Sequence, residues 1–506
     1  MISIQENYEK YENIVIGGGP TGLTIALYLS ELGEKVCLID KNDSLGGCHR
    51  VTRVDNYFTE HGPRIYSSAY RNVHTILEKI GTSFDEVFTP YLFNIASIQN
   101  QTFGVFTLRE KLLIGNELWK LTLGLNKHQL KHTSVASFAK QHNFSMKAQD
   151  YMDRLCRLTD GAESERYNML EFIQLINQNF FYKLYQPRVP NDRGLFTTWE
   201  KTLVKNGVDI MKSTDVKTYE YYKNNKNENS NDNEGFYTVI LTSGKKITCK
   251  NLFLCIPPTH FTQIAPEYIL YTYSNENNID IKEWAEFNKY INDIPVSFHW
   301  NKSIDLPKVW GFPKTDWGVA FIVLSDYMDA DNNFDNKRNT VITTCITIQD
   351  KKSSVTGKTM YESNREELIA EVFRQLKISF PELPNYDKAI IHPTVKYKDN
   401  KWIEDDQAYV ETYKSQFIPA TSSVYENHYF VGTQNGRSYY RFTSMESAVT
   451  NAMYLMKKIR PEKLRYLSIK KPFELVILFR LLILVIVFVL VFYTIRMVKN
   501  INQKKD

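Results

Sequence analysis

Hydrophobic and polar positions along the chain switch between two periods, and the switches mark the elements. Asn13–Ile16 is a short strand-like run that ends in three glycines. From Thr21 to Leu32 the apolar residues Ile25, Leu29 and Leu32 share one helical face, and Gly33 is a stop. Lys35–Asp40 reads as a second strand ending in an acid. Ala96–Val189 is largely helical in pattern, clearest over Thr133–Gln141, Met146–Leu158 and Met169–Asn179. Period two then returns. Gly207–Tyr219 predicts strand, turn and strand; Phe236–Leu241, Lys246–Cys249 and Leu252–Ile256 predict three more strands, the last running into Pro257-Pro258. The polar stretch Asn224–Asn233 reads as a disordered hairpin tip. Asn288–Trp300 and Val341–Gln349 read as strands of a further sheet. His428–Val431 is a final strand, with Gly432 as its turn. A helix follows, carrying Met445, Ala448, Val449, Ala452, Met453 and Met456 at helical spacing. Thr443-Ser444-Met445-Glu446 has the form of a capping box, with Thr443 as N-cap and Glu446 at the third helical position.

Leu475–Ile495 is apolar on almost every face. Its length is about 31 Å as a helix, close to the hydrocarbon thickness of a bilayer. Its one charge, Arg480, lies near the start, where a long side chain can snorkel to the interface. Eleven residues follow, so a tail-anchored single-pass protein is expected. Seven basic residues precede the span (Lys457 to Lys471) and four follow it (Arg496 to Lys505), which predicts a body facing the cytosol.

A length of 506 residues allows two to four domains or one large two-part enzyme. With 43% hydrophobic and 24% charged residues, wholesale disorder is excluded. The net charge of +5 is uneven. The segment from Met456 onward holds 12 Lys/Arg against 3 acids, which leaves the rest mildly acidic and excludes a nucleic-acid-binding body. Six scattered cysteines without a CxxC pair fit a reducing compartment and neither a disulfide scaffold nor a zinc site. The polar N-terminus has no apolar core of a cleavable signal. His128 and His132 form an HxxxH with no acid between them; a solvated helix face is expected there, and no metal site.

The chemistry starts at Gly17-Gly18-Gly19-Pro20-Thr21-Gly22, a G-x-G-x-x-G between a strand and a helix. Gly17 makes the tight turn, Gly19 lets backbone approach a pyrophosphate, and Gly22 lets helix and strand pack closely. The helix N-terminus offers free N–H groups and a partial positive charge to the phosphates. Asp40, 18 residues past Gly22, is placed to accept ribose hydroxyls. A second glycine loop, Gly46-Gly47, follows, then His61-Gly62-Pro63-Arg64-Ile65-Tyr66.

The run from Gly17 to Gly47 resembles the FAD-binding start of the flavin-containing amine oxidase superfamily, which includes monoamine and polyamine oxidases, protoporphyrinogen oxidase, phytoene desaturase and UDP-galactopyranose mutase. The 207–258 strands and the 428–456 strand and helix are similar to two further FAD segments of that group. The resemblance implies non-covalent FAD, since the last segment has no cysteine. It implies contacts from Gly17, Gly19, Pro20, Thr21, Gly22, Asp40, Lys41, Gly46, Gly47, Gly62, Val216, Gly432, Met445 and Glu446. Cys48 stands where the family has an arginine, with Arg50 as substitute. In place of the amine oxidases' active-site lysine the strand before Trp300 has Asn292 and Asp293, and Ser444 stands where they place a tyrosine. Local similarity to the mutase runs through Arg64 and Arg437–Met445, where Arg64, Arg437 and Arg441 suit an anion.

The expected fold class is α/β: a discontinuous Rossmann-like FAD-binding domain (1–95, 191–262, 421–460), an α+β substrate domain (96–190, 263–420), a basic juxtamembrane segment (461–474), a transmembrane helix (475–495) and a short tail (496–506). No second G-x-G-x-x-G exists, so no NAD(P)H domain is expected. The function expected is a membrane-anchored FAD-dependent oxidoreductase taking a hydride from a small amine or apolar substrate, with Arg64 and Tyr440 as catalytic candidates. A redox-neutral sugar-nucleotide mutase and a non-catalytic membrane-tethered module stay open.

Overall fold

The computed structural model describes residues 9–62, 64–90, 105–223, 235–291, 294–306, 310–311, 314–326, 339–436 and 438–503. The readings made for Asn224–Asn233, Pro63, Asn292, Asp293 and Arg437 fall outside them.

Buried, β-rich runs separated by helices build a parallel-centred sheet. Its order is Asp209–Met211, Val36–Ile39, Glu9–Ile16, Lys246–Leu254, Phe236–Leu241 and Val216–Tyr222. Both faces are covered, so the central strands read as continuous apolar runs. One face carries the helices Pro20–Glu31, Arg71–Lys79, Leu195–Lys205 and Met445–Ile459. The other carries Pro258–Ile264, Glu267–Asn277 and Ile281–Phe287.

Lys246–Leu254 is one strand, where the hydropathy pattern predicts two. It runs parallel to Glu9–Ile16 along its whole length and changes partner on its other edge. Residues 246–249 pair antiparallel with Phe236–Leu241; 252–254 pair parallel with His428–Phe430. The polar pair Lys250-Asn251 sits at that change. Asn251 is buried because its amide donates to Asn13 Oδ1 at 3.0 Å.

A second, antiparallel sheet has the order Trp310–Gly311, Val319–Val323, Thr340–Ile346, Ile294–Trp300 and Lys388–Ile391. The helix Arg365–Leu376 packs on one face. The hairpin Val51–Val54/Tyr57–Glu60 meets the other, tied by the Thr59–Ser297 hydroxyl pair at 3.0 Å. Helices Leu108–Thr122, Val135–Gln141, Met146–Asp160 and Met169–Asn177 form a third core. His128 and His132 are both exposed. The architecture is therefore α/β, a Rossmann-like sheet domain assembled from separated stretches beside an α+β region.

Leu475–Asn502 is helical, and within it Leu475–Asn500 is, among the described residues, the one helix long and apolar enough to cross a membrane. Its first turn is built into the body. Leu475 and Val476 are buried with Leu118 and Leu121. Arg480 is held by the body: its Nε and Nη2 donate to the carbonyls of Thr122 (2.7 Å) and Leu121 (3.2 Å), satisfying the open C-terminus of Leu108–Thr122. The basic 461–474 segment is likewise strapped down. Asn72 accepts from Lys470 N–H (2.8 Å) and donates to Lys470 carbonyl (2.9 Å), while Arg460 and Lys463 pair with Glu34.

Candidate functional site

The first turn of the sheet domain is shaped by glycines. Gly17 has φ +105°, and a Cβ there would meet the Cys255 carbonyl oxygen at 2.4 Å. A Cβ on Gly22 would lie 1.9 Å from the Gly17 carbonyl oxygen, so this glycine serves helix–strand contact, as its spacing predicts. Gly19 differs: the nearest atom to its Cβ would be the Gly47 Cα at 3.7 Å. The two loops thus face each other with bare backbone. Gly46 N–H donates to Gly18 carbonyl (2.8 Å), which locks them together.

Asp40 receives Gly18 N–H on Oδ2 (2.6 Å) and Asn42 N–H on Oδ1 (2.8 Å). Burial raises its pKa, against the pull of those donors. Beside it Lys41 Nζ lies 3.1 Å from His260 Nε2. Burial, reinforced by Lys41, pushes His260 down to about 4, so the ring is neutral and accepts. These residues line a cavity of about 190 Å³, with Gly17, Gly19, Pro20, Thr21, Gly47, Val216, Pro257 and Gly432.

A larger cavity of about 760 Å³ adjoins it; Pro20, Cys48, Ala408, Thr433 and Ala448 line both. Arg64, Gly62 and Tyr440 line the larger one. Arg64 Nη2 donates to Cys48 carbonyl (2.6 Å) and to His61 Nδ1 (2.7 Å). His61 Nε2 faces Glu404 at 2.9 Å. Burial alone would raise Glu404, but His61 holds it down at about 2. Tyr440 donates to Asn179 Oδ1 (2.9 Å) and packs edge-on against Tyr70 and Phe442, at 5.2 and 4.9 Å between ring centres. Burial holds its phenol well above the ordinary range. Asp160 closes this wall. One oxygen accepts Thr443 N–H (2.9 Å), and the other has no hydrogen-bond partner among the described residues. Burial raises Asp160 well above the carboxylate range.

Several predicted residues lie elsewhere. Arg50 is buried in an ion pair with Asp406 and donates to Gly47 carbonyl (3.3 Å); it lines neither cavity. A buried guanidinium needs a paired anion, and here a protein carboxylate supplies it. Met445 is fully buried in core. Glu446 is not part of a capping box: Ser444 is the N-cap and its partner is Ser447. Glu446 instead accepts from the Asn72 and Val73 N–H groups (3.0 and 2.9 Å) and the Asn72 amide (2.8 Å), capping Arg71–Lys79. Burial raises its carboxyl to about 8 despite these donors. Gly22 and Gly46 shape the turn from behind the lining. Arg441 lies 3.6 Å from Glu411.

The sequence reading missed two contributions. Asp405-Asp406-Gln407-Ala408-Tyr409 walls the smaller cavity opposite the glycines, and Asp160 sits in the larger one. The first reads locally as an acidic turn and the second as an exposed helix end, so no local pattern singles them out.

This geometry is that of a Rossmann-like sheet domain whose glycine-lined slot adjoins a larger cavity. Residues 15–80 match the family model of the NAD(P)-binding Rossmann-like domain. No curated protein sequence matches the chain. Among solved structures, the chain is similar to putrescine oxidase bound to putrescine (TM-score 0.61, 12% identity, 89% of this chain and 99% of that one). It is similar to cyclohexylamine oxidase from Brevibacterium oxydans IH-35A (0.58, 12%, 89% and 99%). A putative protoporphyrinogen oxidase from Exiguobacterium sp. 255-15 is a further likeness (0.57, 13%, 90% and 99%). The chain thus shares its overall fold with these oxidases over about 90% of its length.

Proposed function

We propose that the chain is an FAD-dependent oxidoreductase, held at a membrane by its C-terminal helix, that oxidises a small amine or apolar substrate. The observation that carries this reading is the junction of the two cavities: a glycine-walled slot runs directly into an aromatic chamber. FAD, when bound, supplies a ring that accepts a hydride and passes its electrons on. The residues fit that group. Gly19 and Gly47 leave bare backbone that would admit a pyrophosphate, Asp40 and Val216 would hold the adenosine, and Thr433 and Ala448 lie where slot and chamber meet. Attachment is non-covalent, as 421–460 holds no cysteine.

In the chamber, Tyr70, Tyr440 and Phe442 pack the apolar part of a substrate and exclude water. Asp160 lines the chamber with one buried oxygen unpartnered among the described residues, and an ammonium brought beside it would favour the carboxylate form. A diphosphate-binding mutase needs open guanidiniums; Arg441 faces Glu411 and Arg64 donates to Cys48 and His61, which favours the oxidoreductase. The more basic flank of the span lies on the body side, which supports a body facing the cytosol.

The test is anaerobic reduction of the purified full-length protein by putrescine, cyclohexylamine, longer alkylamines and protoporphyrinogen. The expected result is bleaching of the flavin band by one of them and recovery, with hydrogen peroxide, on admitting air. A bound flavin that none reduces, but that turns over a sugar nucleotide after dithionite, would establish the mutase instead. Inertness under both conditions would support the non-catalytic module.

A further inference from the structure

The helix Leu108–Thr122 buries Ile114, Leu118 and Leu121 and carries a second apolar stripe besides. At about 100° per residue, Leu108, Leu112 and Trp119, with Leu123 just beyond, fall on one narrow stripe. That stripe points outward: Leu108 is 73% exposed and Trp119 47%. Lys111 borders it on one side, Arg109 and Lys120 on the other. The helix's two acids, Glu110 and Glu117, are turned into the body. An exposed face that is apolar at its centre, basic at its edges and free of acids is the pattern of a helix lying in a lipid interface.

What covers this face is indicated by where the anchor leaves the body. Arg480 binds the carbonyls of Leu121 and Thr122, so the long apolar helix departs at the C-terminal end of the same stripe. Beyond Arg480, all residues from Leu481 to Val498 except half-buried Ile483 are exposed. The 461–474 strap holds the anchor's base against the body through Asn72. The anchor's base has a second apolar patch: Phe180, Phe181 and Phe473 pack edge to face, at 5.0 and 5.2 Å between ring centres, and all three are exposed.

We propose that Leu108–Thr122 lies on the bilayer as a second membrane contact, its apolar stripe among acyl-chain ends and its basic edges on anionic headgroups. The proposal rests on the reading that Leu475–Asn500 spans the bilayer. The loop carrying Phe180 and Phe181 also supplies Asn179, Tyr182 and Leu184 to the larger cavity, so this contact sets that cavity beside the lipid surface.

Trp119 reports on this directly, because it is the only exposed tryptophan among the residues whose burial is described. The full-length protein is reconstituted into phosphatidylcholine–phosphatidylserine vesicles, with plain or with brominated phosphatidylcholine carrying bromine near the headgroup. The emission difference between wild type and Trp119→Phe isolates the one side chain. That difference is expected to be roughly halved by brominated lipid, and to recover when Leu108 and Leu112 are both replaced by Ser. Replacing phosphatidylserine with phosphatidylcholine is expected to weaken the quenching. Equal Trp119 emission in plain and brominated vesicles, with the protein floating with the vesicles, would overturn the proposal while leaving the anchor intact. Protein that does not float with the vesicles would overturn the anchor and the proposal together.

Discussion

Gly19→Glu is expected to give a folded full-length protein that carries no flavin. The reason is local. A Cβ at Gly19 has only van der Waals neighbours, the nearest being the Gly47 Cα at 3.7 Å. The backbone therefore tolerates a side chain, but a glutamate would extend into the slot between the two glycine loops. It would bring a negative charge to the place assigned to two phosphates, beside the helix N-terminus that would otherwise attract them. Gly22→Ala is the contrasting control. There a Cβ would stand 1.9 Å from the Gly17 carbonyl oxygen, so strand and helix must separate. Overpacking of this kind typically costs about 1–3 kcal/mol. Its expected signature is loss of thermal stability together with loss of flavin. Circular dichroism melting and flavin-to-protein absorbance ratio measured on both variants separate the two roles. Wild-type flavin content in folded Gly19→Glu would place the cofactor elsewhere.

The second large effect is expected at Asp406. Its carboxylate is the partner of buried Arg50, and both side chains are almost fully enclosed. Asp406→Ala leaves the guanidinium buried without its anion, which typically costs about 3–5 kcal/mol. Arg50→Met should cost a comparable amount by stranding the acid. The double variant Arg50→Met, Asp406→Leu should recover much of the loss, since replacing a whole buried pair by apolar groups is often neutral. Flavin affinity should fall in the single variants too, because Asp405-Asp406-Gln407 forms one wall of the slot. Denaturation midpoints with and without added FAD would show both effects. Additive losses in the double variant would mean that the pair is not a unit.

These two sites also show what the sequence can and cannot disclose. The glycine loops are legible because their function is a matter of local backbone space, written in consecutive residues. Phe236–Leu241 appears in the structure with the bounds its alternation gives. Arg50 is a different case: its partner lies in a distant acidic turn, so proximity to the glycines suggests a phosphate contact that the buried carboxylate pre-empts. Glu446 follows the same logic. Locally it completes a capping box, yet its acceptors' work is done for the Arg71–Lys79 helix, far away in sequence. Lys246–Leu254 is one strand because its two halves satisfy different neighbours, and a hydropathy pattern records burial rather than partners. Arg480 reads as a charge at a membrane edge until the open carbonyls of another helix come beside it. In each case the missing information is a long-range contact.

The most direct measurement is the visible spectrum of the purified, folded, full-length chain before and after denaturation. The two-loop slot predicts a yellow protein with flavin absorbance, near one FAD per chain, and release of all of it as free FAD into the supernatant on unfolding. A folded chain that is colourless and stays so after incubation with added FAD would contradict the account.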